Sequence, residues 1–185
     1  MWIIGTMTLK DPYSSAAMTE RQAAYEGALG LKTPYTPQII VDGTAELRIN
    51  DAQQMDKTLH DAVAEAKIPV HIGEVNVDAT NPTILRTRIE TGGNSDKGNA
   101  DIYAAVALDH VESQVLHGEN SGRHLVHVAV VVQLTEVGRL KKGQFDETIA
   151  LKLKEGTDPK NVRVVSLCAR TWARQGTRGS STKAN

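Results

Sequence analysis

The chain has 185 residues, 40% of them hydrophobic, and a formal net charge of -1, which suits one ordinary domain or two small ones. The balanced charge and the low aromatic content of 4% argue against general nucleic-acid binding, and no apolar stretch reaches the roughly 20 residues that span a bilayer. The single cysteine, Cys168, excludes an internal disulfide, a Cys-x-x-Cys pair and a cysteine-rich zinc site.

The first predicted element is a helix over Ala17–Leu29. Ser14 or Ser15 can cap its start, since a serine hydroxyl accepts hydrogen bonds from the first free amides. Gly30 suits the left-handed conformation that ends many helices, and Pro34 keeps the helix from resuming.

A strand, a tight turn and a second helix follow. The apolar residues of Gln38–Val41 predict a short buried strand, and Asp42-Gly43 is a strong hairpin signal. Ala45–Ile49 alternates as a return strand should. A second helix is predicted over Ala52–Lys67. Its apolar stripe, close to helical period, consists of Met55, Leu59, Ala62, Val63 and Ala66.

After Pro69 the sequence changes to alternation at period two, broken by turn residues. This texture favours an antiparallel β-sandwich of about six or seven strands. The predicted strands are residues 70–77, 84–89, 102–108 and 111–116 (or one long bent strand through 109–110), 125–137, 145–153 and 162–167. The boundary is placed near Ile68, so residues 1–68 form a first domain and residues 69–185 a β-rich second one.

Pro37 stands at the mouth of the first buried strand, where a residue without an amide donor is unusual. The order helix, Thr36-Pro37, strand, hairpin, helix is that of the second half of a thioredoxin fold. In that fold the proline is cis and the preceding backbone faces an extended peptide substrate. A trans proline at the first position of an edge strand is the alternative. The overall prediction is an α+β protein: a partial thioredoxin-like α/β half-domain followed by an antiparallel β-sandwich-like domain.

Two long motifs carry a resemblance to a known family. "KDPYSSAAMTERQAAYEGALGLKTPYTPQIIVDG" and "LHGENSGRHLVHVAVVVQLTEVGRL" resemble, in the correct order, the secreted bacterial family called domain of unknown function 1223. The resemblance covers roughly Leu9–Ser166. It implies a thioredoxin-like domain joined to a β-rich C-terminal domain, and a periplasmic or secreted location for full-length relatives, although no signal peptide is visible here.

The chain departs from the family pattern in two places. The N-terminal unit that carries a Cys-x-x-Cys-type motif is missing, so a half-domain should expose apolar faces and unpaired strand edges. The family's His and Asn in the strand after the second motif are replaced by Val128 and Ala129, whereas His127 stands where an aromatic residue or His is usual.

Both ends read as if out of frame. Residues 1–8 can be encoded by the DNA sequence ATG TGG ATT ATT GGG ACT ATG AC. If a C precedes this DNA and reading begins at that C, the same bases encode His-Val-Asp-Tyr-Trp-Asp-Tyr-Asp, which resembles the family. Codons can also be chosen for Leu167–Thr182 so that, when the first base is removed, the shifted frame encodes Phe-Val-Gln-Gly-Pro-Gly-His-Gly-Lys-Val-Leu-Gly-Ala-Ala-Gln. That sequence would form a last strand, a glycine-rich turn and a return strand. Residues 1–8 and about 167–185 are therefore predicted to be frameshifted, with poor order toward the C-terminus. A natural divergent tail is the alternative.

A polar cluster follows the predicted strand 111–116. Glu119, Asn120, Arg123 and His127 form a candidate binding loop, in which Arg123 could bind a carboxylate. The alternative is a loop whose side chains satisfy its own backbone. A zinc site from His117, Glu119 and His124 would require the loop to fold back, and Cys168 lacks a neighbouring base that would activate it.

The sequence therefore predicts no catalytic residue, cofactor or metal. The first hypothesis is a redox-inactive fragment of a secreted thioredoxin-like protein, with Thr36 and Pro37 as the substrate-facing loop and an extended peptide or protein thiol as partner. The second is a non-enzymatic binding or structural module that acts through the β domain. A metal-dependent enzyme is the third. No nucleic-acid partner is predicted, and the oligomeric state is not indicated.

Overall fold

Two α-helices and ten β-strands form within the residues that the computed structural model describes, which are 2–4, 15–31, 35, 37–92, 100–115 and 121–170. The chain is an α+β protein whose strand pairs are antiparallel. The elements are β1 (Trp2–Ile4), α1 (Ala16–Leu29), β2 (Gln38–Val41), β3 (Ala45–Leu47), α2 (Ala52–Ala64), β4 (Val70–Ile72), β5 (Asn76–Val77), β6 (Ile84–Thr91), β7 (Ala100–Gln114), β8 (His124–Arg139), β9 (Asp146–Lys152) and β10 (Val162–Arg170).

The predicted ends of α1 and the predicted hairpin turn are confirmed. Ser15 Oγ accepts a hydrogen bond from the amide of Met18 at 3.4 Å, and Gly30 ends the helix with a φ of 64°. Asp42 and Gly43 both have positive φ, 52° and 72°. Such a turn matches the twist of the strands that it joins.

The first sheet has the order β1-β2-β3. Strand β1 is an addition that the sequence did not predict. It lies antiparallel to β2, with Trp2 opposite Ile40 and Ile4 opposite Gln38. It therefore adds a third strand to the hairpin from within residues 1–8, the segment that was predicted to be out of frame.

Helix α2 uses only part of its apolar stripe. Met55 and Ala62 pack against a small core of buried residues from β2 and β3, whereas the side chains of Leu59 and Val63 are 40% and 85% exposed. Among the described elements, α2 packs mainly against β2 and β3. Part of the apolar stripe of α2 is therefore exposed.

The second sheet is built around β6, which pairs with β9 on one side. On its other side lie β4 and β5, which the sequence predicted as one strand over 70–77. The strand is interrupted at Gly73, although the Gly73 amide still donates to the carbonyl of Arg88 at 2.8 Å.

The third sheet has the order β10-β7-β8. Its two long strands, β7 and β8, are 15 and 16 residues long, so residues 102–108 and 111–116 belong mostly to one strand and not to two. The outer end of this β7–β8 hairpin, from His110 onward in β7, is called the hairpin arm. Its β7 residues alternate between exposed and half-buried, so this end of the hairpin is not covered on both faces.

The second and third sheets face each other across the main core. Side chains from β6 and β9 meet side chains from β7, where small residues such as Ala104 are fully buried. This packing of two antiparallel sheets is sandwich-like. The buried cluster consists of Leu85, Ile89, Ala100, Ile102, Ala104, Val106, Leu140, Phe145, Ile149, Leu151 and Leu153.

Strand β10 continues to Arg170, paired with β7 along its whole length. It therefore includes residues 167–170, which fall in the range predicted to be frameshifted and poorly ordered. Residues 171–185 lie outside the described residues, and the question of reading frame stays a prediction.

Candidate functional site

Pro37 is exposed and comes directly before the buried strand β2. Its position directly before a buried strand is therefore as the sequence predicted. Thr36 lies outside the described residues, so its substrate-facing role and the cis-proline stay predictions.

Behind Pro37 lies a buried polar network that the sequence analysis missed. Gln22 Nε2 of α1 donates to Gln38 Oε1 at 3.1 Å, and Gln38 Nε2 donates to Glu46 Oε1 at 2.9 Å. Both glutamines are at most 3% exposed. Tyr35 lies close to this network, since partial burial and then the Glu46 carboxylate raise the pKa of its phenol. The network ties α1 to β2 and β3 directly behind Pro37.

The hairpin arm carries the described part of the predicted binding loop. Arg123 is exposed at the base of the turn, and its carbonyl accepts from the amide of Val115 at 2.9 Å. His127 is half-buried, with Nε2 2.8 Å from Ser113 Oγ. The two residues are thus held by separate contacts. Glu119 and Asn120 lie outside the described residues.

The exposed face of the same arm holds a histidine-carboxylate cluster. The two Glu112 carboxylate oxygens lie 3.1 Å from the Nε2 atoms of His110 and His124, respectively. The hydrogen bond from His110 and then the charge of His124 lower the pKa of Glu112. Within the described ranges no group of three such side chains has the geometry to hold a metal ion, and His117 lies outside those ranges.

A cleft of about 770 Å³ separates α1 from the edge of the third sheet. This volume is within the usual range for ligand sites, and such sites often lie between two structural units. One wall comes from α1 and the β2–β3 turn, the opposite wall from β10. The lining includes Arg21, Tyr25, Ala28, Asp42, Glu65, Lys67 and the stretch Ser166–Ala169.

Arg21 is held in the α1 wall by two tyrosines. Its Nη2 donates to Tyr25 Oη at 2.7 Å, and its guanidinium carbon lies 5.1 Å from the ring centre of Tyr25 and 5.7 Å from that of Tyr103. Stacking of this kind fixes the otherwise flexible side chain. Lys67, also in the cleft, is paired with Asp42 at 2.9 Å.

Strand β10 lines the opposite wall with four consecutive residues, Ser166–Ala169. It is the edge of its sheet, with β7 on one side and no further described strand on the other. Alternate backbone groups of an edge strand lack ladder partners. Cys168 lies on this strand, and burial followed by the nearby charge of Asp101 raises the pKa of its thiol. The thiol is therefore a poor nucleophile at neutral pH.

The architecture defines an α+β chain with a small helical part and a larger two-sheet part. The chain belongs to the family described as Protein of unknown function (DUF1223), whose model matches residues 6–168. The match confirms the resemblance carried by the two motifs, and it includes every lining residue of the cleft named above except Ala169. No curated protein and no solved structure matches the chain.

Neither α1 nor α2, the α-helices of the described part of the chain, has the length and apolar character needed to cross a bilayer.

Proposed function

We propose that this chain is a non-enzymatic binding protein that takes an extended peptide into the cleft between α1 and β10. The observation that carries the proposal is that an edge strand lies along one wall of a cleft large enough for a ligand. An extended peptide can add to such an edge as a new strand, using backbone hydrogen bonds for affinity and alternate side chains for specificity.

The size of the cleft sets the length of the peptide. Ser166–Ala169 span about 10 Å at roughly 3.3 Å per residue. A segment of about four residues would therefore pair within the cleft. The wall formed by α1 would contact the side chains that point away from the main core.

Thiol–disulfide exchange is the less supported alternative. The reacting species in exchange is a thiolate, and the one cysteine of the chain has a thiol whose pKa is raised. We infer that residues 1–68 correspond to the second half of a thioredoxin-like domain, supported by the order α1, Pro37, β2, β3, α2. The half that would carry the cysteine pair is not among these elements.

The family resemblance also supports a secreted or periplasmic location for full-length relatives. We propose this location for the relatives alone. Fractionation of cells that produce a full-length relative tests it, with recovery in the cytosolic fraction as the contrary result.

Two alanine positions on α1 test the proposed peptide site. Ala28 and Ala23 are both exposed, but only Ala28 lines the cleft. Ala28→Trp should place an indole ring in the cleft opposite β10 and weaken binding of a fluorescent six-residue peptide of alternating valine and serine, measured by anisotropy. Ala23→Trp is the matched control and should bind as the unmodified chain does. Equal binding by both variants would refute the cleft as the site.

A further inference from the structure

We propose that the cleft selects peptides with a carboxylate, which Arg21 binds. The inference rests on the proposed peptide site and adds the chemistry of the ligand to it. The carboxylate could be an acidic side chain or the C-terminal group of the peptide, since both present the same two oxygens.

The donor capacity of Arg21 supports this choice. A guanidinium has five N–H donors, and the described contacts of Arg21 use one of them, toward Tyr25 Oη. None of the described carboxylates forms an ion pair with it. The remaining donors can accept a bidentate carboxylate, which is the strongest common arrangement for an arginine.

The other charges of the cleft do not replace Arg21 in this role. Lys67 already has Asp42 as its partner at 2.9 Å. Glu65, which also lines the cleft, lies beyond the end of α2 and repels anions. Among the described residues that line the cleft, Arg21 is therefore the cation available to an acidic ligand. The two tyrosine rings hold it in place before binding, so little rotamer entropy is lost when a carboxylate arrives.

The test uses pairs of amidated, acetylated six-residue peptides with alternating valine and serine. One of each pair has glutamate at the third position and the other has glutamine. A third peptide has glutamine with a free C-terminal carboxylate. Anisotropy gives the Kd of each peptide for the full chain and for Arg21→Gln. Arg163→Gln serves as the control, because Arg163 is exposed on β10 and does not line the cleft.

We expect Arg21→Gln to raise the Kd of one of the two carboxylate peptides by at least about ten-fold, which corresponds roughly to one hydrogen bond to a charged group. The amidated glutamine peptide should change less than about two-fold, which also shows that the variant is folded. Loss with the glutamate peptide identifies a side chain as the ligand, and loss with the third peptide identifies a C-terminus. If Arg21→Gln weakens the binding of all peptides equally, or of none, the proposed role of Arg21 is wrong, but the peptide site itself is not refuted. If no peptide binds the unmodified chain, the peptide site fails and the inference with it.

Discussion

Arg139 Nε donates to Asp101 Oδ1 at 2.6 Å, across the pair of strands β7 and β8 at the point where β7 begins. The Asp101 side chain is only 3% exposed, whereas that of Arg139 is 45% exposed. The hydrogen bond and charge of Asp101 raise the pKa of Arg139 further above its usual value. A buried carboxylate thus has its cation on the neighbouring strand, close to the wall of the cleft.

Removal of that cation should destabilise the β domain. Arg139→Gln leaves a buried carboxylate without its ion pair, which costs more than the pair itself contributes. We expect the melting temperature to fall by several degrees, measured by circular dichroism. The double variant Asp101→Asn with Arg139→Gln should recover part of this loss. A double variant as unstable as the single one would contradict the explanation.

Gly138 is required by the ring of Phe145, the one phenylalanine of the chain. A Cβ added at Gly138 would clash with Phe145 Cε2, and Phe145 is only 7% exposed. Gly138→Ala should therefore lower the free energy of unfolding by about 2 kcal/mol through overpacking. Urea titration measures it.

Gly27 provides the control for this substitution. It lies in α1 with nothing within 4 Å of an added Cβ. Gly27→Ala should raise the free energy of unfolding by about 0.5–1 kcal/mol, since alanine has the higher helix propensity. Equal changes in the free energy of unfolding for Gly138→Ala and Gly27→Ala would refute the proposed clash.

Ala129 has a φ of 56° within β8, a left-handed conformation that costs alanine roughly 1–2 kcal/mol. Asparagine and glycine adopt it more readily. Ala129→Gly or Ala129→Asn should therefore stabilise the chain by about 0.5–1 kcal/mol. Ala129→Val, with a branched Cβ, should destabilise it. Stabilisation by valine in urea titration would contradict this account.

Asp78 should make stability depend on pH. Hydrogen bonds from the Thr80 side chain and from Arg86 lower its pKa below the usual range. Because the folded pKa is depressed, the stabilisation is present above the unfolded value near pH 4 and is lost as pH falls toward the folded pKa.

Urea midpoints at several pH values test this linkage. The difference between the unmodified chain and Asp78→Asn should be largest at pH 7 and shrink below about pH 4. A difference that stays constant from pH 7 to pH 3 would exclude the carboxylate as its source.

Local signals predicted much of the fold. Ser15 and Gly30 fix the ends of α1, Asp42-Gly43 fixes the hairpin, and alternation at period two locates the strands of the β domain. Each of these depends on a few neighbouring residues, so the sequence carries them directly. Strand β1 is different, because three residues are too short for a periodic signal and pairing with β2 stabilises them.

The candidate site could not be predicted in the same way. Arg21 and Leu167 line one cleft although almost the whole chain separates them, and no local pattern encodes such a contact. The buried pair Gln22 and Gln38 was missed for the same reason. The predicted loop at Glu119–Arg123 stands apart as a separate hypothesis, since only Arg123 is described. The gene's nucleotide sequence tests the predicted frameshifts at both ends.

Amide hydrogen exchange along β10 tests the central claim most directly. The outward backbone amides of Ser166–Ala169 lack ladder partners within the described part of the chain and should exchange quickly in the free protein. Addition of the glutamate peptide should slow exchange at alternate residues of this stretch, with little change along β8, the opposite edge of the same sheet. Binding with unchanged exchange on β10, or with protection only on the hairpin arm, would contradict the account.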